Sequence, residues 1–275
     1  MVSELSLVDI HEAIAASRPD EECLVFRDRR LSWAEVNDRT RRFADHLRRA
    51  GLGCHTERND LAGHESGQDH LAIYLHNGNE YLEAMLGSFK ARVAPFNVNY
   101  RYVAEELRYL LDDAKARAIV IHSRFTPVLA EIIDELDDLT VIIQVPDETG
   151  LGLMPGAVWY EDALAAAEST PPNSSPDDLY ILYTGGTTGM PKGVLWRNAD
   201  AAVECFGGST TAVTLEDWVG EANAGLRTLP SPPFMHGAGH WVAFRTWLSG
   251  GTVFVQSTTD RLDPGDIWGL VERER

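Results

Sequence analysis

The sequence predicts an α/β protein built on layered, mostly parallel sheets flanked by helices. Three observations point there. Short apolar runs alternate with helical patterns from residue 31 to residue 145, the arrangement that yields βαβ units. The runs at 71–75 and 140–145 are nearly apolar throughout, as strands covered on both faces are. A glycine- and threonine-rich turn follows directly on the apolar run 179–183, at a strand end, where α/β proteins bind ligands.

The elements follow in order. Ser32 and Glu35 form a capping-box pattern, opening a helix toward Leu47 with Val36, Phe43 and Leu47 on one face and Gly51 as its stop. Residues 54–70 are polar; His55, His64 and His70 share no helical face or metal-ligand spacing, so they read as a solvated loop. A strand is expected at 71–75. A helix capped by Asn79 carries Tyr81, Leu82, Met85, Leu86 and Phe89, and a short strand at 92–96 follows. Then come a helix at 104–111, a strand at 116–122, a helix at 127–136 and a strand at 140–145. Proline and serine in 167–178 mark a linker. The expected division is a first α/β subdomain at 1–166, that linker, and the start of a second subdomain at 179–275. Gly250 and Gly251 precede another strand, and a helix begins at Asp263.

Composition narrows the function. Hydrophobic residues make up 44% and charged residues 24% of the 275, a balance that fits a soluble globular chain. No apolar stretch approaches the ~20 residues of a membrane-spanning helix, and the N-terminus is no secretory signal. Three scattered cysteines, Cys23, Cys54 and Cys205, suggest free thiols in a reducing cytoplasm. A net charge of −18 argues against a nucleic-acid partner.

Two segments carry chemistry. Tyr183-Thr-Gly-Gly-Thr-Thr-Gly-Met-Pro-Lys-Gly-Val194 gathers Gly185, Gly186 and Gly189 with Thr184, Thr187, Thr188 and Lys192. Successive backbone N–H groups in such a turn make an anion-binding concavity, and the hydroxyls and the cation suit phosphate oxygens. It is no Walker A loop, because Pro191 precedes the lysine and strand-like residues follow it. That disfavours a P-loop phosphotransferase. The second segment, Leu229-Pro-Ser-Pro-Pro-Phe-Met-His236-Gly-Ala-Gly-His240, is a proline-stiffened turn presenting His236 before Gly237, Ala238 and Gly239.

The run 183–194 resembles the phosphate-loop signature of the adenylate-forming superfamily, whose usual form is Thr-Ser-Gly-Thr-Thr-Gly-x-Pro-Lys-Gly. Gly185 stands where that serine is usual. The passages Leu31-Ser-Trp-Ala-Glu, 86–97 and 104–113 are similar to the opening of acyl-CoA synthetases. Asn97-Val-Asn-Tyr-Arg-Tyr102 looks most like bacterial fatty-acyl and steroid side-chain types. The 229–241 segment resembles that family's Pro-Leu-Phe-His motif.

The resemblance implies the fold of the large N-terminal domain of these enzymes. It also implies ATP-dependent activation of a hydrophobic acid as acyl-AMP, then transfer to coenzyme A, with Mg2+. By resemblance Lys192, Thr188 and His236 are the candidate catalytic residues, residues 184–189 and Lys192 bind phosphates, and His236 with Gly237, Ala238 and Gly239 lines the acyl pocket. No metal ligand is assigned. The family's later signatures, which contact adenine, ribose and magnesium, have no counterpart here. The chain is therefore expected to be an N-terminal portion, inactive alone, with homo-oligomerisation possible. A non-catalytic nucleotide- or acyl-binding role is the alternative.

Overall fold

A computed structural model describes residues 4–185, 189–223 and 225–274. Its strands are β1 (Glu22–Phe26), β2 (Arg29–Ser32), β3 (His70–Tyr74), β4 (Ala94–Asn97), β5 (Ala116–His122), β6 (Val141–Val145), β7 (Ala157–Trp159), β8 (Leu179–Thr184), β9 (Lys192–Arg197), β10 (Arg227–Thr228) and β11 (Thr252–Val255). The larger sheet has the order β7-β6-β5-β3-β4-β8-β9 and the smaller β10-β11-β1-β2. All neighbours in the larger sheet are parallel except the β8–β9 hairpin. The mostly parallel α/β expectation therefore holds.

Alternation along the strands sends successive side chains to opposite faces. Leu71 and Ile73 join one core with Phe43, Leu47, Leu82 and Met85. Ala72 and Tyr74 join another with Phe96, Leu107, Leu110 and Ile181. Both faces are covered by helices, which explains the unbroken apolar runs. Strands from both sides of residues 167–178 share each sheet: β8 lies beside β4, and β11 pairs parallel with β1.

The helix Trp33–Arg49 carries the capping box read from Ser32 and Glu35, and Gly51 follows it at φ 83°. Two readings need correction. Asn79 does not cap its helix; Gly78 does, and Asn79 is the first residue of Asn79–Lys90. Its amide instead donates to the buried Glu83 carboxylate at 3.1 Å, which also takes a bidentate Arg39 and the Tyr160 hydroxyl. A buried charge needs all these partners. The helix expected at 127–136 stops early. It runs Thr126–Ala130, and a 3-10 turn at Ile133–Glu135 follows. Leu129, Ile132 and Leu136 are buried all the same. Strand β7, the helix Tyr160–Ala165 and the helix Gly237–Leu248 gave no clear period in the sequence. No helix among the described residues is long and apolar enough to cross a membrane.

Candidate functional site

The carboxyl ends of β3, β4, β5 and β8 lie on one edge of the larger sheet, because these strands are parallel. Strand β8 leaves this edge as the phosphate-binding candidate and returns as β9. Thr184 sits directly opposite Lys192 in the hairpin register, and both are exposed. Lys192 has no ion pair with another described residue. Gly189 has φ 124°, which side chains rarely adopt. Gly186, Thr187 and Thr188 lie outside the described residues. A Cβ added at Gly193 would fall 2.9 Å from the Tyr183 ring, whose hydroxyl donates to Asp113 at 2.7 Å. That ring fixes the hairpin, and the glycine admits it.

Gly185 is different. An added Cβ meets nothing within 4 Å, and its φ lies outside the left-handed range. Gly185→Ser is therefore expected to change stability by less than about 0.5 kcal/mol while adding a hydroxyl beside the phosphate-binding candidate. Urea unfolding of the variant checks this.

The turn at 232–236 is held by side chains. Asn77, just beyond β3, donates to the Pro232 carbonyl and accepts from the Phe234 N–H at 2.6 Å. His240 bonds the Phe234 carbonyl through Nδ1 at 2.6 Å and the Tyr180 hydroxyl through Nε2 at 2.5 Å. The Phe234 carbonyl can only accept, so His240 carries its proton on Nδ1 and the neutral ring's Nε2 accepts from the Tyr180 hydroxyl, which in turn accepts from the Trp241 indole. Burial pushes the His240 pKa down to about 4, which keeps the ring neutral at pH 7. Asn97, the last residue of β4, donates to the Met235 carbonyl at 2.8 Å and to the Tyr183 carbonyl at 2.9 Å.

His236 is exposed at the N-terminal boundary of Gly237–Leu248, and Gly237, Ala238 and Gly239 form that helix's first turn. A Cβ at Gly239 would lie 2.4 Å from the Pro233 carbonyl, and one at Gly237 would lie 3.1 Å from the Trp241 ring. Gly239 seats the helix against the proline turn, and Gly237 leaves room for the Trp241 ring one turn on in the same helix. Gly239→Ala is expected to destabilise the chain by roughly 1–3 kcal/mol, read as a lower urea midpoint.

A cavity of about 390 Å³ flanks the turn, lined by Asn77, Tyr100, Arg101, Ser231, Pro232 and Pro233 among others; residues 236–239 do not line it. A second, of about 410 Å³, opens at the ends of β3 and β5 beside His76, His122 and Arg124. Burial, then the Arg124 charge, pushes His76 down to about 4, and burial, then His76, pushes His122 down to about 3. Both rings are neutral near pH 7. Among the described residues no group of three or more His, Cys, Asp or Glu is placed to hold a metal ion.

Asn77 and His240 were not singled out as site residues by the sequence. Asn77 follows a strand without a motif, and His240 matched no pattern. Asn97 was visible only as the start of a polar-aromatic turn.

Known proteins resemble this chain along its whole length. It is 48% identical over 275 residues to the medium-chain acyl-CoA ligase Mig of Mycobacterium avium, covering 97% of this chain and 50% of that protein. It is 33% identical to a 3-oxocholest-4-en-26-oate–CoA ligase of Rhodococcus rhodochrous, covering 98% and 47%. The chain thus spans about half the length of these curated relatives. In fold it resembles the anthranilate CoA ligase AuaEII, solved with anthranoyl-AMP, with a TM-score of 0.77 at 20% identity over 100% of this chain and 49% of that one. It also resembles the N-terminal domain of FACL13 from Mycobacterium tuberculosis, with a TM-score of 0.76 at 20% identity over 98% of this chain and 61% of that one. The family described as AMP-binding enzyme matches residues 11–275, and the chain belongs to that family.

Proposed function

We propose that this chain supplies the phosphate-binding and acyl-pocket part of an AMP-forming acyl-CoA ligase acting on a hydrophobic carboxylic acid, fatty or steroid-derived. In that reaction the carboxylate attacks the α-phosphorus of ATP and pyrophosphate leaves. The thiol of coenzyme A then takes the acyl group, and AMP leaves. An anion attacking an anion needs neutralised charge. Lys192 supplies a cation to the departing phosphates. The hydroxyls of Thr184, Thr187 and Thr188 and the N–H groups of Gly185, Gly186 and Gly189 add donors. Mg2+ enters with the nucleotide as part of the substrate. His236 lines the acyl pocket, with Gly237, Ala238 and Gly239 beside it.

The observation that carries this reading is the meeting of the two motif segments: the Tyr183 and Met235 carbonyls accept from one Asn97 nitrogen. The phosphate and acyl ends of an acyl-adenylate would therefore lie side by side. The names of the two relatives support the acid class. A cytoplasmic setting, no nucleic-acid partner and self-association complete the proposal.

A second reading is a nucleotide- or acyl-binding polypeptide without turnover. Thermal shifts with stable acyl-adenylate analogues (acyl-sulfamoyladenosines) test binding. Dodecanoyl and steroid analogues are expected to raise the melting temperature above a glycyl analogue. Equal melting temperatures with all of them would contradict the proposal. Acyl-AMP made from ATP and acid, detected by mass spectrometry, would exclude the non-catalytic reading.

A further inference from the structure

Asn97 sits where three elements end. It closes β4, it faces the last residue of β8 before Thr184, and it faces the residue before His236. Its carboxamide makes three bonds there. Oδ1 accepts the Tyr183 N–H at 2.9 Å, and Nδ2 donates to the Tyr183 carbonyl at 2.9 Å and the Met235 carbonyl at 2.8 Å. The side chain is buried, so each backbone group would otherwise lack water. Two donated bonds and one accepted bond from one short planar group is a demand that asparagine meets and aspartate does not. The other clamps on the turn, Asn77 and His240, bond residues 232 and 234. His240 also reaches β8, through the Tyr180 side chain, but of the three only Asn97 bonds the β8 backbone.

We infer that Asn97 is a positioning residue that registers the phosphate loop against the acyl-pocket turn, so that filling one orders the other. The inference rests on the functional reading above. Tyr183 and Met235 are each one residue from a candidate site residue, Thr184 and His236. A shift of either backbone therefore passes through the shared nitrogen. Coupling of this kind requires a physical element that both sites bias, and the carboxamide is that element.

Hydrogen–deuterium exchange on the 275-residue chain and on Asn97→Asp tests it. The aspartate keeps the size and accepts the Tyr183 N–H, but turns a carboxylate oxygen toward two carbonyls. Without nucleotide, exchange in segments 183–193 and 232–236 is expected to quicken together by about tenfold, with β5 unchanged. MgATP is expected to slow both segments in the wild type, but only 183–193 in the variant. Exchange at 232–236 that matches the wild type, with or without MgATP, would overturn the inference.

If MgATP alters nothing in the wild type, the nucleotide reading fails separately. The unliganded comparison then decides: loosening of both segments upholds Asn97 as the joint, and loosening of one or neither overturns it. Should the variant not fold, side-chain amide resonances of the wild type decide. Asn97 protons protected against solvent exchange relative to those of exposed Asn223, and shifted by MgATP, are expected. Protons that exchange as fast as those of Asn223 would overturn the joint.

Discussion

Lys192→Ala is expected to lower carboxylate-dependent pyrophosphate exchange by about 10²- to 10³-fold, the usual loss when one preorganised charge-stabilising donor is removed. The measurement is made in a polypeptide that carries these residues and turns over. Thiol transfer from supplied acyl-AMP should change far less, because pyrophosphate has already left. The lysine opens β9 opposite Thr184 and is exposed, unpaired with any other described residue. Its charge is therefore free for a ligand. It is also the one cation in the run 183–194 of a chain with net charge −18, so nothing else in that run can neutralise a polyphosphate. Lys192→Arg keeps the charge but replaces a compact ammonium with a planar fork, and should fall between wild type and alanine. An unchanged exchange rate in Lys192→Ala would remove Lys192 from the phosphate site.

The largest expected effect on stability lies far from that loop. Lys90, on the helix Asn79–Lys90, has a side chain with 0% exposure and pairs with Glu12 at 2.7 Å. Asn37 and Arg41 complete the group: Lys90 donates to the Asn37 side-chain Oδ1, and Arg41 and the Asn37 side-chain Nδ2 donate to Glu12. Burial pushes Lys90 down to about 8. Burial alone would raise Glu12, but Arg41, Lys90 and Asn37 together bring it down to about 2.

Glu12→Ala leaves the ammonium buried without its carboxylate and is expected to cost about 3–5 kcal/mol. Replacing both partners, Glu12→Gln with Lys90→Met, should cost less, because no charge of the pair is then stranded. The sign of the pH dependence follows from Glu12. Its folded value lies below the ordinary 4.5, so between about 4.5 and 2 the unfolded chain holds a proton that the folded chain lacks. The stabilisation is present above pH 4.5 and is lost as pH falls toward 2. Urea unfolding from pH 5 to pH 2.5 should show this loss in the wild type, and a shallower one in Glu12→Ala.

The layers were legible because periodicity reports burial. Leu71-Ala-Ile-Tyr-Leu75 reads as a strand covered on both sides, and Ser32 with Glu35 reads as a helix start; the structure has the strand at His70–Tyr74 and the helix at Trp33–Arg49. The boundary at Asn79 misread because Gly78 takes the cap, and the Asn79 amide turns to Glu83, one turn on in the same helix, whose carboxylate is buried by contacts with Arg39 and Tyr160. Gly239 was legible as small but not as packed, since the Pro233 carbonyl that fills its space is set by how the turn folds back on the helix. Asn97 shows the same limit. Its three bonds join residues 86 and 138 positions apart, a spacing no local pattern records. The phosphate run, by contrast, stood out from composition alone, because glycines, hydroxyls and a lysine fall within one turn.

One titration bears most directly on the central claim, that residues 184–192 bind nucleotide phosphates. MgATP is added to the 275-residue chain and to Lys192→Ala in a calorimeter. The account predicts binding to the wild type, weakened about tenfold or more in the variant, with the two unliganded chains melting at the same temperature. No binding to the wild type, or equal affinity in the two, would contradict it.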